Sequence, residues 1–374
     1  MKNNYRIYER LTPFVPRILR NAIRSVVPLS DYDLARRQAR NPYLDKPEAT
    51  FSGSPVRLGI FMEAAQYHKH YIAACQEMNI SYQVIDLLAD DWMARVRGSG
   101  CDAFLVWPSN CNTVLKSAFD FRLKILEEDL GQRLYPTWKE CWLTEHKPRL
   151  RDWLDAHGIA HPRTWVAYGE SEALALAKTL ELPIVSKTAT GASGSGVSII
   201  RSSADLTRLA KEAFGRGLLA RGYDPRDRQR GYVYLQDYLP DVQEWRMVRI
   251  GDSFFGYRKE KGANGLHSAS HSWSWLDPGE KLLHLLKQVT DMGGFTSMDV
   301  DVFLTPDGRM LVNELQTVFG CTTPAEQMKI DGVEGRYVPN GNGWRFEAGA
   351  FCRNHMCNLR IQYLLERINE KRGV

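Results

Sequence analysis

The stretch SMDVDVFLTPDGRMLVNELQ, residues 297–316, carries the most informative pattern in this chain of 374 residues. Its two halves have the composition of β-strands, and the TPDG sequence between them is typical of a hairpin turn. Because side chains alternate along a strand, Asp299 and Asp301 share a face, and the turn brings Glu314 beside Asp301. Gln316 follows two residues along on the same side. Carboxylate and amide oxygens suit Mg²⁺ bound together with phosphate, so we predict a metal site at Asp301, Glu314 and Gln316.

A solvated hairpin with exposed acids is the alternative interpretation of this stretch. The neighbours of the acids are apolar, which indicates a half-buried sheet and disfavours an exposed hairpin. These neighbours are Val300, Val302, Leu311, Val312 and Leu315.

A lysine followed by a glycine-rich loop forms the second pattern. Lys187 ends the predicted strand Ile184–Lys187, and GASGSG follows at residues 191–196. Glycines let backbone N–H groups approach phosphate oxygens without Cβ clashes, and the lysine supplies a point charge. The loop lacks the GK[ST] ending of a P-loop, and a flexible Gly/Ser hairpin is the alternative. The predicted phosphate-binding residues are Lys187, Gly191, Ser193, Gly194, Ser195 and Gly196.

Strands and helices alternate over residues 56–140, which predicts a parallel βαβ sheet. No GxGxxG follows the first strand, Arg57–Met62, so this sheet lacks the dinucleotide-binding fingerprint. Residues 29–55 are rich in proline and glycine and are predicted to be a linker. The final stretch, Gly349–Arg372, is predicted to be a helix.

The order of these pieces resembles the ATP-grasp superfamily over roughly residues 140–320. The resemblance rests on a lysine that opens a helix, the strand lysine with its glycine loop, an acidic hinge, an E-x-R strand and the closing D…N-E-x-Q pattern. Carboxylate–amine ligases, such as D-alanine–D-alanine ligases and ribosomal-protein glutamate ligases, share this order. The resemblance implies an α/β (α+β ATP-grasp) fold, with a Rossmann-like N-terminal βαβ layer followed by two ATP-grasp lobes. The implied divisions are a basic N-terminal segment and linker (1–54), the βαβ domain (55–145), a lid lobe with the glycine loop (146–240), a catalytic lobe (241–345) and a C-terminal helix (346–374).

The resemblance also implies roles for individual residues that bind nucleotide. Lys147 and Lys187 are expected to hold the α- and β-phosphates of ATP, while the Gly191–Gly196 loop closes as a lid. Glu244 is expected to bind the ribose hydroxyls. The hinge whose backbone would contact adenine consists of Gln236, Asp237, Tyr238 and Leu239.

This sequence departs from the superfamily pattern at two of these positions. Relatives more often carry Glu at the position of Gln236 and Asn at the position of Gln316. An amide oxygen can still coordinate a metal ion, but whether one or two Mg²⁺ ions bind stays open.

Two arginines are expected to act in catalysis. Arg246 stands in the E-x-R strand, where relatives use an arginine to stabilise an acyl-phosphate or a γ-phosphate in transfer. Arg258 ends the next strand, where those relatives also place a basic residue. In the polar loop that follows, His267 is more simply interpreted as a solvated histidine than as a catalytic one.

The function implied by the resemblance is an ATP- and Mg²⁺-dependent ligase that forms a C–N bond between a carboxylate and an amine through an acyl-phosphate. A kinase on the same fold, which phosphorylates a hydroxyl and stops there, is one alternative. A regulatory ATP-binding protein without turnover is another. Small-molecule or glycan-precursor carboxylates and amines are the expected partners, and their identity and the oligomeric state stay open.

Composition restricts the cellular setting. The formal net charge of +5 suits an acidic ligand such as a nucleotide, and we expect no nucleic-acid partner. The seven cysteines include no CxxC pair, which predicts the reducing cytoplasm. Residues 1–28 contain a basic amphipathic helix that packs on the protein itself or, as the alternative, contacts the inner face of a membrane peripherally.

Overall fold

The computed structural model describes residues 29–189, 194–220, 224, 226–262, 272–318 and 328–372. The strands of these residues form three sheets with helices packed against them, which confirms the predicted α/β class. None of the helices in this part of the chain is long and apolar enough to cross a membrane. The predicted basic helix of residues 1–28 lies outside the described residues.

The first sheet confirms the predicted parallel βαβ layer. Its spatial order is β1 (Glu48–Ala49), β3 (Ser81–Ile85), β2 (Arg57–Phe61), β4 (Ala103–Leu105) and β5 (Leu134–Tyr135), with only the β1–β3 pair antiparallel among these strands. The accompanying helices are α1 (Leu29–Ala39), α2 (Lys69–Glu77), α3 (Trp92–Gly98), α4 (Thr113–Lys124), which continues as a π-helical turn at Ile125–Asp129, and α5 (Trp138–Leu143).

Residues 29–55 differ from the predicted linker. They contain α1 and the edge strand β1, in which Glu48 pairs with Gln83 of β3. Prolines and glycines suggested an unstructured connection, but Pro47 immediately precedes a strand of only two residues. Pairing with an existing sheet stabilises a strand too short to be recognised from its own sequence pattern.

The second sheet falls within the residues predicted to form the lid lobe and is antiparallel, in the order β6 (Thr164–Ala167), β9 (Val233–Asp237), β7 (Ile184–Lys187) and β8 (Val197–Ile200). It follows α6 (Lys147–Ala156), and its apolar face packs on α7 (Glu170–Thr179) and α8 (Ser203–Phe214). Helix α8 begins after Ser202 because the Ser202 hydroxyl accepts the N–H of Asp205 at 3.1 Å, which satisfies an otherwise unpaired helix donor.

The third sheet carries the predicted hairpin. Its order is β14 (Met310–Gln316), β13 (Ser297–Leu304), β10 (Gln243–Ile250), β11 (Ser253–Lys259), β16 (Val333–Asn340) and β15 (Lys329–Ile330), with β12 (Trp273–Ser274) on β11 and β17 (Gly343–Ala348) on β16. The N–H of Gly308 donates to the carbonyl of Thr305 at 2.9 Å, and Gly308 has a φ of +84°, which glycine adopts without strain. The apolar face of this sheet packs on α9 (Gly279–Gly293).

The C-terminal helix α10 (Arg353–Arg372) connects the first and third sheets. Its apolar residues Ile361 and Leu364 share a core with Tyr71 of α2, while the buried Arg360 donates from Nε to the Ser297 hydroxyl of β13 at 3.1 Å. The predicted terminal helix is therefore present, but it starts four residues later than predicted. Asn354, His355 and Met356 have positive φ angles, so the chain kinks near the start of the helix.

Candidate active site

One face of the third sheet collects charged side chains. In the strand register Asp301 lies between Arg246 of β10 and Glu314 of β14, and Glu244 of β10 lies opposite Lys259 of β11. The neighbouring positions of these strands point the other way, into the apolar core beneath α9. With Lys147 of α6 and Lys187 of β7, four carboxylates meet four cations in this part of the described chain. They are Glu244, Asp299, Asp301, Glu314, Lys147, Lys187, Arg246 and Lys259.

Asp301 is held by two cations at once. Arg246 donates to it in a bidentate manner, from Nε to Oδ1 at 3.0 Å and from Nη2 to Oδ2 at 3.1 Å. The Lys259 ammonium also donates to Asp301, and it donates to Oε1 of Glu244 at 2.8 Å. Burial disfavours the charged form of Asp301, but Arg246 and Lys259 outweigh it and hold the pKa of that carboxyl well below its usual range.

Asp299 is a buried carboxylate whose hydrogen-bonding capacity is unused. It is 1% exposed, and neither of its oxygens makes a hydrogen bond. Its Oδ2 lies 2.9 Å from Nε of Arg246, an ion-pair distance without hydrogen-bond geometry. Burial raises the pKa of Asp299 well above its usual range, against the pull of Arg246. Leaving a buried carboxyl group without hydrogen bonds is costly, so the oxygens of Asp299 retain capacity for a ligand.

Lys147 and Lys187 reach this face from two elements, α6 and β7. Lys147 opens α6, and its Nζ lies 3.4 Å from Oε1 of Glu314. Lys187 ends β7 and donates from Nζ to Oδ1 of Asn313 at 2.8 Å. Burial lowers the pKa of Lys187 to about 8, with nearby Lys147 adding to the effect and Glu314 opposing it.

Asn313 is a site residue to which the sequence pattern assigned no role. Asp301 pairs with Glu314 and Val302 with Val312, so Asn313 is an extra residue in a β-bulge. A bulge changes the direction of a side chain, and here it allows Asn313 to contact Lys187. Strict alternation along the strand gives no sign of such a bulge.

Three residues of the predicted glycine loop lie in the turn between β7 and β8. The turn is closed by the N–H of Thr188, which donates to the Gly196 carbonyl at 2.9 Å, and Gly194 has a φ of +73°. Among the described residues the buried Ser195 hydroxyl has no hydrogen-bond partner, so it retains capacity for a ligand. Gly191 and Ser193, like His267, lie outside the described residues.

The predicted hinge links the lid lobe to the catalytic sheet. Gln236 and Asp237 end β9, and Tyr238 and Leu239 lead on toward β10. The side chain of Gln236 points into the lid lobe, because its Nε2 donates to the hydroxyl of Thr164 at 3.2 Å. Glu244, 2% exposed, stands just beyond the hinge and anchors Lys259.

Arg258 is the predicted site residue that the structure places elsewhere. It lies opposite Trp245, so it faces away from Arg246, and it donates to Oε1 of Glu260 at 3.0 and 2.8 Å. The strand continues to Lys259, and the period of two puts Lys259 on the charged face. The basic residue beside Arg246 is therefore Lys259, to which the sequence pattern assigned no role.

The donor set of this face fits Mg²⁺ in its chemistry. Asp301 and Glu314 adjoin each other, and Gln316 lies opposite the unsatisfied carboxylate of Asp299. In the described ranges, however, no three His, Cys, Asp or Glu side chains stand ready to hold a metal ion. Asp301 and Glu314 are already paired with cations, so metal binding requires that they exchange a cation partner for the metal.

Comparison with known proteins gives the fold. No protein-family model matches the chain, and no curated protein matches its sequence. Among solved structures, the D-alanine–D-alanine ligase of Bacillus anthracis complexed with ATP is 14% identical, with 84% of this chain and 99% of that chain covered at a TM-score of 0.53.

Two further solved structures resemble the chain. The biotin carboxylase domain of the Hydrogenobacter thermophilus 2-oxoglutarate carboxylase, in complex with MgADP, ADP and bicarbonate, is 17% identical, with 73% of this chain and 66% of that chain covered at a TM-score of 0.52. The ADP complex of N5-carboxyaminoimidazole ribonucleotide synthetase is 16% identical, with 73% and 72% covered at a TM-score of 0.51. The chain accordingly has the ATP-grasp fold.

Proposed function

We propose that the protein is an ATP- and Mg²⁺-dependent ligase that joins a carboxylate to an amine through an acyl-phosphate. One observation carries this proposal: Lys147 of α6 and Lys187 of β7 converge with Arg246, Asp301 and Glu314 on one face of the third sheet. A regulatory nucleotide-binding protein would not need the full set, because binding without turnover tolerates the loss of a metal ligand or of the arginine.

The two lobes divide the work of holding ATP. Lys147, Lys187 and the glycine loop bind the phosphates from the lid side, where burial strengthens each electrostatic contact. The backbone of the hinge contacts adenine, and Glu244 binds the ribose. Binding across both lobes draws them together and excludes water from the transferring phosphoryl group.

Asp301, Glu314 and Gln316 would hold magnesium, which would neutralise negative charge on the phosphates. Arg246 is held in one orientation by its two hydrogen bonds to Asp301, so its guanidinium needs little reorganisation as charge develops on the phosphoryl group. Lys259, which keeps its pair with Glu244 when Asp301 binds the metal, adds a second positive charge on the same side. The contribution of the chain is thus positioning and electrostatic stabilisation.

The reaction has two displacement steps. A substrate carboxylate oxygen attacks the γ-phosphorus, the bond to the β-phosphate oxygen breaks, and ADP leaves. The amine then attacks the carbonyl carbon of the acyl-phosphate, and phosphate leaves with the bonding electron pair while the amine loses a proton. The products are an amide, ADP and phosphate.

Hydroxylamine distinguishes this ligase from a kinase. An acyl-phosphate is a mixed anhydride, so hydroxylamine converts it into a hydroxamate, whereas a phosphate ester is inert to the same reagent. Purified protein with Mg-ATP is screened against amino acids, uronic acids and small peptides, with ADP release and hydroxamate formation as readouts. We expect both signals with the correct carboxylate, and a stable phosphorylated product without hydroxamate would establish the kinase instead.

Arg246→Ala provides the matched variant for this assay. It should suppress ADP release and hydroxamate formation by at least about a hundredfold while changing Mg-ATP affinity far less, because the arginine acts mainly during transfer. Arg258→Ala is its control, since Arg258 faces the other side of the sheet and should leave both signals near wild type.

A further inference from the structure

An aromatic surface lies beside Arg246, on the side away from the proposed metal ligands. Tyr257 of β11 is the direct cross-strand neighbour of Arg246, just as Asp301 of β13 is on the other side. Trp273 of β12 lies opposite Lys259. With Trp275, two residues along from Trp273, these side chains form what we call the aromatic platform.

The rings of the platform contact one another. The ring centroids of Tyr257 and Trp275 are 5.3 Å apart, those of Tyr257 and Trp273 are 6.5 Å apart, and those of Trp273 and Trp275 are 6.4 Å apart. The ring planes are inclined by between 56° and 73°, an edge-to-face arrangement that favours a fixed surface.

The platform retains contact with solvent, which a purely structural cluster would avoid. All three rings are only partly buried, whereas Phe254, on the other face of the same strand β11, is fully buried. The inner edges of Tyr257 and Trp275 pack on the core beneath α10, which fixes them in place. Trp273 stands outside that core, on a strand of only two residues. Partly exposed aromatic rings beside a charged cleft are typical of ligand sites.

The charges beside the platform restrict the ligand. Arg246 and Lys259 are the cations that adjoin it, and their side chains are 16% and 12% exposed, so each retains some contact with solvent. A ligand that contacts rings and cations together needs an apolar ring face and a nearby anionic group. Arg246 is also the group proposed to act on the transferring phosphoryl, which places that anionic group where a carboxylate would be phosphorylated.

We infer that the aromatic platform binds the ring of the carboxylate substrate, and that this substrate is a ring-bearing carboxylic acid such as a hexuronic acid. The inference rests on the proposed ligase function and adds the substrate class. The C–H face of a pyranose ring packs on Trp273 and Tyr257, while the carboxylate approaches Arg246 and Lys259. An acyclic acid of the same charge satisfies the cations but leaves the platform uncovered.

The test measures how tightly small molecules bind to the full chain when it is saturated with a non-hydrolysable Mg-ATP analogue. Binding is followed by calorimetry and by tryptophan fluorescence. Glucuronate supplies ring and carboxylate, gluconate is its acyclic counterpart, and glucose has the ring without the charge. 4-Hydroxybenzoate is included as an aromatic-ring acid. We expect a ring-bearing acid to bind at least about tenfold more tightly than gluconate and glucose. Whether glucuronate or 4-hydroxybenzoate binds better identifies the kind of ring.

Variants of Trp273 separate a binding role from a structural one. Trp273→Ala should weaken binding of the ring-bearing acid about tenfold and leave that of gluconate unchanged, whereas Trp273→Phe, which keeps an aromatic face, should restore most of the affinity. The control is Trp344→Ala: this indole packs against Phe254, on the opposite face of the sheet, and its loss should not affect acid binding. Affinity for the Mg-ATP analogue checks that each variant is folded.

The outcomes for the two proposals are distinguishable. Suppose that the Mg-ATP analogue binds. If no ring-bearing acid then binds better than gluconate, or if Trp273→Ala binds the ring-bearing acid like wild type, the platform inference is wrong while the proposed ligase stands. If the protein does not bind the Mg-ATP analogue at all, the proposed function itself fails.

Discussion

At the scale of single residues, Lys187 has two opposing requirements. It must be charged to hold phosphate, yet burial and Lys147 lower its pKa to about 8. Below that pH the free protein carries the protonated lysine, and above it the proton must be taken up when phosphate binds. We therefore expect the dissociation constant of Mg-ATP to rise by up to about tenfold for each pH unit above 8.

Substitution of Lys187 tests this assignment. Lys187→Ala should raise the dissociation constant of Mg-ATP at pH 7 and remove the additional rise above pH 8, as measured by calorimetric titration. Lys178→Ala, which removes an exposed lysine of α7 in the same lobe, is the control and should retain both the affinity and its pH dependence. Unchanged affinity in Lys187→Ala would rule out the phosphate contact.

The paired carboxylates lead to a second residue-scale prediction. Asp301→Asn and Glu314→Gln keep the size of each side chain but remove a carboxylate, so ATP turnover should collapse and its Mg²⁺ dependence should disappear. Near wild-type Mg²⁺ dependence in both variants would mean that the hairpin is structural.

The same carboxylates can be tested through the free energy of unfolding in the absence of metal. Asp299→Asn is the matched control for Asp301→Asn in that measurement. Asp301→Asn leaves Arg246 and Lys259 short of a buried partner and should lower the free energy of unfolding by about 3 kcal/mol. Asp299 makes no hydrogen bond and its pKa is raised, so its neutral isostere should cost less than half as much in urea denaturation.

The site residues that the sequence predicted follow from simple periodicity. The turn and the alternation of side chains were enough to pair Asp301 with Glu314, and the register confirms that pair. The same rule was applied to β11, but the strand was predicted to end one residue too early. Arg258 was therefore selected instead of Lys259. The bulge at Asn313 breaks the alternation, so tertiary structure was needed to find its contact with Lys187.

At the scale of elements, prediction succeeded where a segment has its own pattern. β13 forms the first half of the predicted hairpin, because alternating valines and acids define it. The strands β1, β5 and β12 have two residues each, and partner strands rather than their own sequence stabilise them. The hairpin of β16 and β17 was missed because charged residues, glycines and a proline interrupt its half-buried apolar residues.

Glu140 joins two elements and yields an element-scale prediction. Its fully buried carboxylate completes a capping box with Thr137 at the start of α5, and it accepts the N–H groups of Thr296 and Ser297, both at 2.7 Å, at the start of β13. In Glu140→Gln an amide N–H₂ faces backbone donors, which should lower the free energy of unfolding by about 2 kcal/mol. Glu128→Gln, at an exposed position nearby, should be neutral in the same denaturant titration.

At the scale of the whole molecule, histidines buried between elements link stability to pH. The rings of His70, in α2, and His355, in α10, have centroids 3.7 Å apart where the C-terminal helix packs on the first sheet. Burial lowers the pKa of His70 to about 3 and that of His355 to about 4, and positively charged neighbours add to both shifts. Burial likewise lowers the pKa of His68 and of His146 to about 4.

The sign of the pH effect follows from these shifts. In the unfolded chain each of these histidines takes up a proton near its ordinary pKa of about 6.5, whereas in the folded protein it stays neutral to about pH 4. Between these values the unfolded state binds more protons, so stability falls as the pH falls. Each histidine should contribute up to about 1.4 kcal/mol per pH unit to the loss of unfolding free energy.

Urea denaturation between pH 7.5 and 5 measures this slope. Replacing His355 by Gln removes one titrating group from the interface between α10 and the first sheet. The slope of unfolding free energy against pH should therefore decrease by the contribution of about one proton, even if the variant is less stable at pH 7.5. His284→Gln changes an exposed histidine of α9 and should leave the slope as in wild type. A slope that stays unchanged in His355→Gln would mean that His355 is already protonated in the folded protein, and that α10 tolerates a charge against His70.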